Sequence, residues 1–433
     1  MNDFTIVARS LRARTFSSAV TIATVAIAVA LLLTLLSLKS AGATAFLRGS
    51  GNAHLLVSAD SSPIVSVLNA VFHAGAPARP IGIAKVHEIE ASFPWKWVVP
   101  LQQGDSYRGF PTLATTPAFF TDFEPVPGEP WAFAQGRAFA DDFEVVLGAE
   151  VARETRLGLG AKLLFTHGAG DEHGHVHQQY DFTVVGVLAP TGSAHDRSIM
   201  CSLESSWILH AHDRHEREEA AAGAKEDEHD HEHEPKLTRA DLVDEDRKVT
   251  GLLIRLPTRP GSEVSTALQP EFDRLRRDPT ITVANPAYEI QKLLAIVSRV
   301  DILFVAMAIV ILVGSAVSIL VALYNSMYER RRQIALFRVL GCSRGRIFGL
   351  VLTESALIGV LGAAGGAVLS AIGTAAAAAY LKREVGLVLG LGIDPRQAII
   401  VVAATAVLAS LAGILPALLA YRTPVGDTLR PSA

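Results

Sequence analysis

Four long apolar runs organise this chain, at 16–38, 302–323, 348–380 and 399–419. A helix rises about 1.5 Å per residue, so roughly 20 apolar residues cross a hydrocarbon layer of about 30 Å. Each run reaches that length without a lysine or arginine inside, and the one acid among them is Glu354, near the start of the third. The pattern predicts a membrane protein with four transmembrane α-helices. The segment 40–299, between the first two runs, reads differently. Its short apolar stretches at 145–148, 181–188, 251–256 and 280–284 predict strands. A short helix at 150–157, ended by Gly158 and Gly160, and a longer one at 262–277 complete a mixed α/β texture. The segment is long enough to bury its own core, as one or two subdomains.

Composition agrees with this division. Half of the 433 residues are hydrophobic, 19% are charged and the mean hydropathy is +0.32, a balance foreign to a purely soluble enzyme of this length.

Short cytoplasmic flanks carry the excess of lysine and arginine, and this fixes an expected orientation. Arg9, Arg12 and Arg14 precede the first run, and Arg330, Arg331, Arg332, Arg338, Arg344 and Arg346 separate the second from the third. Arg422 and Arg430 follow the fourth. The segments 1–15, 324–346 and 420–433 are therefore expected inside, with both termini cytoplasmic. The α/β domain at 40–299 and a short loop at 381–397 are expected outside, despite Lys382, Arg383 and Arg396 in that loop. A cleaved signal peptide is the alternative for the first run, since Ala41, Ala43 and Ala45 offer small-residue cleavage patterns. A signal core is about 7 to 15 residues, shorter than this run, so an uncleaved anchor is expected.

Two cysteines, Cys201 outside and Cys342 inside by this topology, do not pair within one chain and have no redox or metal-knot spacing. Histidine is concentrated: eleven of fourteen lie from His167 to His233. Three clusters stand out, His173, His175 and His177, then His210, His212 and His215, then His229, His231 and His233. In an extended chain alternate side chains share one side, which suits a bound Zn²⁺, Cu²⁺ or Ni²⁺ ion. The surrounding acidic, low-complexity stretch, about 210–246, also fits a disordered insertion at a loop tip. A zinc-sensing or zinc-buffering loop is the functional expectation for it. A catalytic zinc site is not, because HExxH is absent.

The chain has no phosphate loop of the form GxxxxGK[ST] and no GxSxG elbow, so ATP chemistry would come from another polypeptide. Within 324–346 the side chains of Ile334, Phe337, Arg338, Val339 and Leu340 are expected to sort into an apolar face on the bundle and a basic face toward solvent or a partner. Gly341 is expected to end that helix and Ser343 to cap the next. Gly362 and Gly366 form GxxxG, and with Gly359 they offer small surfaces for close helix packing or for a dimer seam. Glu354 is read either as an interfacial acid or as the partner of a cytoplasmic arginine.

The run ERRRQIALFRVLGCSRGRIFGLVLTESALIGVLGAAGG resembles the FtsX, MacB and LolC/LolE permeases of the ABC transporter class. The similarity lies in a basic pair, then I-x-L-x-R-x-L-G, then E-x-x-x-x-G. LPALLAYRTPVGDTLR is similar to the family's terminal proline and P-x-x-x-L-R pattern, with one more residue between Pro424 and Leu429, and an FtsX-like domain is expected at about 301–425. GRAFADDFEVVLGAEVARETRLGLGAKL and FTVVGVLAPTGSAHDRSIMCSL look like a MacB-type periplasmic core domain. The histidine-rich insertion departs from the family, as does the lack of the ATPase domain that MacB carries fused.

The resemblance implies a non-enzymatic permease subunit in the bacterial cytoplasmic membrane. It implies a coupling helix in which Glu329, Arg330, Arg331, Arg332, Ile334, Leu336, Arg338 and Gly341 face a separate ABC ATPase that holds the ATP. It implies dimerisation with a second or homologous permease, contact with lipid, a periplasmic or lipoprotein partner, and no nucleic acid. Mechanotransmission for export or lipoprotein release is the leading expectation. The alternatives are an FtsX-type signalling scaffold that controls an extracytoplasmic partner and a membrane-anchored zinc-binding protein.

Overall fold

The computed structural model describes residues 3–49, 51–75, 77, 79–167, 179–221, 236–385, 392 and 394–422. Two compact units emerge. One comprises Ala43–Ala295 with Arg383–Val388, and the other Met1–Gly42, Ile296–Lys382 and Leu389–Ala433.

The strands of the α/β unit are, in chain order, Leu55–Ser58 (β1), Ile81–Gly82 (β2), Trp97–Gln102 (β3), Asp105–Tyr107 (β4), Phe110–Thr115 (β5), Phe133–Gly136 (β6) and Glu144–Leu147 (β7). They continue with Lys162–Leu163 (β8), Thr166–His167 (β9), Phe182–Leu188 (β10), Ile199–Ser202 (β11), Lys248–Val249 (β12), Gly251–Arg255 (β13) and Thr282–Ala284 (β14). The main sheet runs β14-β1-β13-β3-β5-β11-β7-β10-β6, with β4, β8 and β9 attached at its sides. Among the described residues β5 with β11 and β7 with β10 pair in parallel, and the other pairs are antiparallel.

Both faces of this sheet are covered, which explains why its strands read as unbroken apolar runs instead of alternating ones. Successive side chains point to opposite faces. Leu55, Val57, Val145, Leu147, Ile199, Cys201, Leu252 and Ile254 enter one core, and Leu56, Val146, Met200 and Leu253 enter the other. The first core is closed by Val86 and Ile89 of helix Ile83–Ser92 and by Trp207, Ile208 and Leu209 of helix Leu203–Ala221. The second is closed by Val67 and Ala70 of helix Pro63–Ala70, and by the aromatic group Phe119, Phe120, Phe123 and Trp131. Ser62 caps the helix that Pro63 opens, accepting from the Val65 amide, so the chain turns at a site prepared for it.

Two predicted helices are shorter than the sequence reading. The first ends when Arg156 turns left-handed, with φ 60°, ahead of the glycines expected to stop it. The second occupies only Leu268–Leu275. Pro270 is tolerated within its first turn, but its ring blocks extension toward residue 262.

In the helical unit, four segments are long and apolar enough to cross a membrane: Thr15–Gly42, Val305–Asn325, Arg344–Leu381 and Pro395–Tyr421. They belong to helices Thr15–Gly49 (α1), Pro286–Val339 (α2), Arg344–Val385 (α3) and Pro395–Arg422 (α4). Val25, Val29 and Leu33 of α1, Leu312 and Ile319 of α2, Ile358 of α3 and Ala409 of α4 share one core. Large apolar side chains such as Val310, Val368 and Ile399 face outward, as lipid-facing positions do.

Glycine sets the closest approaches in this unit. A Cβ on Gly362 would lie 2.6 Å from Val25, and one on Gly366 would lie 2.7 Å from the Ala26 carbonyl oxygen and from Val29. The GxxxG face is therefore occupied within the chain by α1, and Gly359 meets Ala409 of α4 in the same way. Hydroxyls between the helices mostly bond their own backbone, as Thr405 does to Val401. Thr34 and Ser370 instead meet across α1 and α3, 3.1 Å apart.

Candidate functional site

The arginine-rich segment does not form a helix of its own. The helix α2 continues unbroken from the second apolar span through Glu329, Arg330, Arg331 and Arg332 to Val339. The turn after it is closed by two backbone hydrogen bonds, from the Cys342 amide to the Phe337 carbonyl (2.9 Å) and from the Gly341 amide to the Arg338 carbonyl (3.1 Å). This is the Schellman pattern, in which the residue after the helix end is left-handed. Gly341 takes that place with φ 90°, a conformation that costs a side chain strain but costs glycine little. Ser343 then caps α3, its Oγ accepting from the Arg346 amide at 3.3 Å.

The faces of this turn sort differently from the expectation. Ile334 and Ala335 are buried, Ile334 packing with Met327, Ile347, Val351, Ala417 and Ala420. Leu336, Phe337, Val339 and Leu340 are exposed, Leu340 at 81% and Val339 at 63%. The apolar positions expected to rest on the bundle thus split, and Phe337, Val339 and Leu340 project from the tip. Helical phase explains it: three or four residues bring Ile334 back to Phe337 or Arg338, but the helix ends before a second buried turn forms. Arg338 is half-buried beside this apolar tip.

Beneath the turn lies a cavity of about 460 Å³, lined by Val7, Arg9 and Arg14, by Met327 and Ile334, and by Val351 and Glu354. Glu354 is buried there, so it is not an acid lying freely at an interface. The cavity gathers arginines and a carboxylate at the end of the bundle that carries the turn.

The histidine clusters divide. His173, His175 and His177, and His229, His231 and His233, lie outside the described residues. His210, His212 and His215 lie on the helix Leu203–Ala221, not on an extended chain, so alternation does not put them on one side. His212 is buried with its ring edge-on to Tyr180, and His215 is exposed. Of the low-complexity stretch, residues 222–235 lie outside the described residues, and the chain is described again from Lys236. Arg214 holds Asp246 through both Nε (2.8 Å) and Nη2 (3.0 Å), a bidentate pair across the base of the insertion. His210 instead comes close to Asp105 and His167, residues that no spacing in the sequence connects to it.

Comparison with known proteins finds two family models along the chain. Residues 305–425 match the model of the FtsX-like permease C-terminal domain, and residues 18–232 match that of the MacB-like periplasmic core domain. The chain belongs to the FtsX- and MacB-like permease family. No curated protein matches it. The family places this permease among the membrane subunits of ABC-type transporters, which are not themselves catalytic and typically work with an ATPase partner. The FtsX-like match spans the α2–α3 turn and Glu354, and the MacB-like match spans most of the two-faced sheet.

Proposed function

We propose that this permease transmits the work of a separate ATPase across the bacterial cytoplasmic membrane, for export or lipoprotein release. The ATPase, which holds the ATP, docks on the α2–α3 turn, and its closure and opening shift the helices. Both termini and the turn lie in the cytoplasm, and the α/β domain lies in the periplasm, where it acts on its ligand. Two permease copies, or this chain and a homologous one, face two ATPases. The exposed tip made by Phe337, Val339 and Leu340 next to four consecutive charged residues, Glu329 to Arg332, is the observation that carries the reading. Exposed apolar groups close to charge are how protein interfaces are built, and Val339 and Leu340 stand outside the packed clusters of their own bundle. The arginine distribution supports the orientation. Among the described residues the hydroxyls of Thr21, Ser315, Thr374 and Thr405 are satisfied by their own helix backbone, and the buried acid Glu354 lies at the turn-bearing end of its span, which favours force transmission over conduction.

The test is co-purification of the full chain with its ATPase subunit after Leu340→Asp plus Arg332→Glu. Arg332 lies in the last turns of α2 and Leu340 in the turn that follows, and Leu340 is not part of the core. The expected result is at least a tenfold loss of bound ATPase with unchanged helix content. Undiminished assembly and undiminished ATP hydrolysis would count against the docking role.

A further inference from the structure

The strands β4 and β9 pair antiparallel with Asp105 directly opposite His167. Directly opposed residues present their side chains to the same face, so this register sets a carboxylate beside an imidazole although 62 residues separate them. His167 Nδ1 lies 3.1 Å from Asp105 Oδ1. From the helix Leu203–Ala221, His210 Nε2 approaches the same carboxylate oxygen at 3.7 Å. The two imidazole rings meet edge to face, with centroids 5.6 Å apart, and one ligand atom from each of the three residues lies within 4.8 Å of the others.

We propose that Asp105, His167 and His210 form a binding site for one divalent transition-metal ion of the zinc class. Imidazole and carboxylate are ordinary zinc ligands at about 2.0 to 2.2 Å, which in a tetrahedral site separates neighbouring ligand atoms by about 3.4 Å. The 3.1 and 3.7 Å separations bracket that value, and the third lies within 4.8 Å. The gradation of exposure suits entry from solvent: the Asp105 side chain is 3% exposed, that of His210 22% and that of His167 53%. The carboxylate forms a fixed floor, because the Thr112 hydroxyl donates to the Asp105 carbonyl (3.0 Å) and anchors the strand. A bound ion would join the β4–β9 ribbon to the helix Leu203–Ala221. The three ligands are independent of the histidines at 173–177 and 229–233, and independent of the docking reading for the α2–α3 turn.

Cobalt reports this site directly, since Co²⁺ substitutes in zinc-type sites and its visible bands follow the coordination. The probe is CoCl₂ titrated into the full chain in detergent, with ZnCl₂ competition giving the zinc affinity. A variant with all six histidines at 173, 175, 177, 229, 231 and 233 changed to alanine is expected to keep one Co²⁺ per chain with unchanged bands. In that background His167→Ala, at a half-exposed position that folding tolerates, is expected to weaken binding about 100-fold or more. Loss of an outer partner of a metal ligand already costs 10- to 100-fold, and His167 would be a ligand itself. His210→Gln is the second variant, with the same expected loss. Binding that vanishes in the six-histidine variant, or survives unchanged in both His167→Ala and His210→Gln, would overturn the assignment.

Discussion

The imidazoles of His73 and His195 meet edge to face inside the α/β unit, ring centroids 5.5 Å apart and planes inclined by 69°. Both rings are enclosed. His73 Nδ1 lies 2.6 Å from Gln103 Nε2 and accepts from it, which puts the His73 proton on Nε2. Among the described residues neither nitrogen of His195 has a hydrogen-bond partner, and its ring is surrounded edge-on by Phe119, Phe123 and Trp131 at 5.7 to 5.8 Å. A neutral imidazole can aim its N–H at such ring faces, whereas a charged one would be stranded.

This pair predicts acid sensitivity. Burial pushes His73 down to about 4 and His195 down to about 3, with the neighbouring His73 adding to the second shift. The unfolded chain takes up these protons near pH 6.5 and the folded one does not, so unfolding binds protons between those limits. Stability is therefore flat above about pH 6.5 and falls as pH drops toward 4, by up to about 1.4 kcal/mol per pH unit for each histidine. Urea unfolding of the full chain in detergent from pH 4.5 to 7.5 measures the slope. His195→Leu, close in volume, should flatten it by about half while leaving stability at pH 7.5 within about 1.5 kcal/mol.

The Arg214–Asp246 pair predicts a different loss. The Asp246 side chain is 3% exposed, and that of Arg214 24%. Removing the arginine strands a buried carboxylate, at a cost of about 3 kcal/mol. Arg214→Met should therefore lower the unfolding midpoint strongly, and Arg214→Met with Asp246→Leu should recover much of the loss. Chemical denaturation of the two variants gives the comparison; equal destabilisation would remove the charge argument.

The glycine seam between α1 and α3 predicts discrimination among glycines. Gly366→Val should cost about 1 to 3 kcal/mol, because the added carbons meet the Ala26 carbonyl and the Val29 side chain. Gly349→Ala, on the same helix, should be neutral or slightly stabilising, since nothing lies within 4 Å of its added Cβ. Thermal inactivation of detergent-solubilised protein measures both.

What the sequence made legible, and what it hid, divides by the range of the interaction. The four apolar spans follow from residue type alone, because hydrocarbon demands helix of a given length. Strands at Glu144–Leu147 and Phe182–Leu188 were visible as apolar runs, but not their burial on both faces, which depends on which helices cover the sheet. The Gly341–Ser343 turn was readable because capping is local. Asp105 beside His167 was not, since a cross-strand register over 62 residues leaves no trace in spacing. Nor was the helical state of His210 to His215, where an extended chain had been expected. Tertiary packing of Trp207, Ile208 and Leu209 overrode the polar composition that follows them.

Gly341 joins local backbone to proposed function, and it yields the sharpest contrast between stability and coupling. Its φ of 90° is strained for any other residue, so Gly341→Ala should cost about 1 to 2 kcal/mol in the turn. The expense falls on the two hydrogen bonds that close the turn, from Cys342 to Phe337 and from Gly341 to Arg338. The spans pack elsewhere, through Val25, Ile319, Ile358 and Ala409, and should be unaffected. Amide exchange should then rise about tenfold or more for Leu340 to Cys342 and stay unchanged in the core of α3. If the tip of α2 is the ATPase seat, the same variant should lower ATPase stimulation by the permease while the chain remains folded. Faster exchange at the turn with full stimulation would separate the turn's geometry from its docking role.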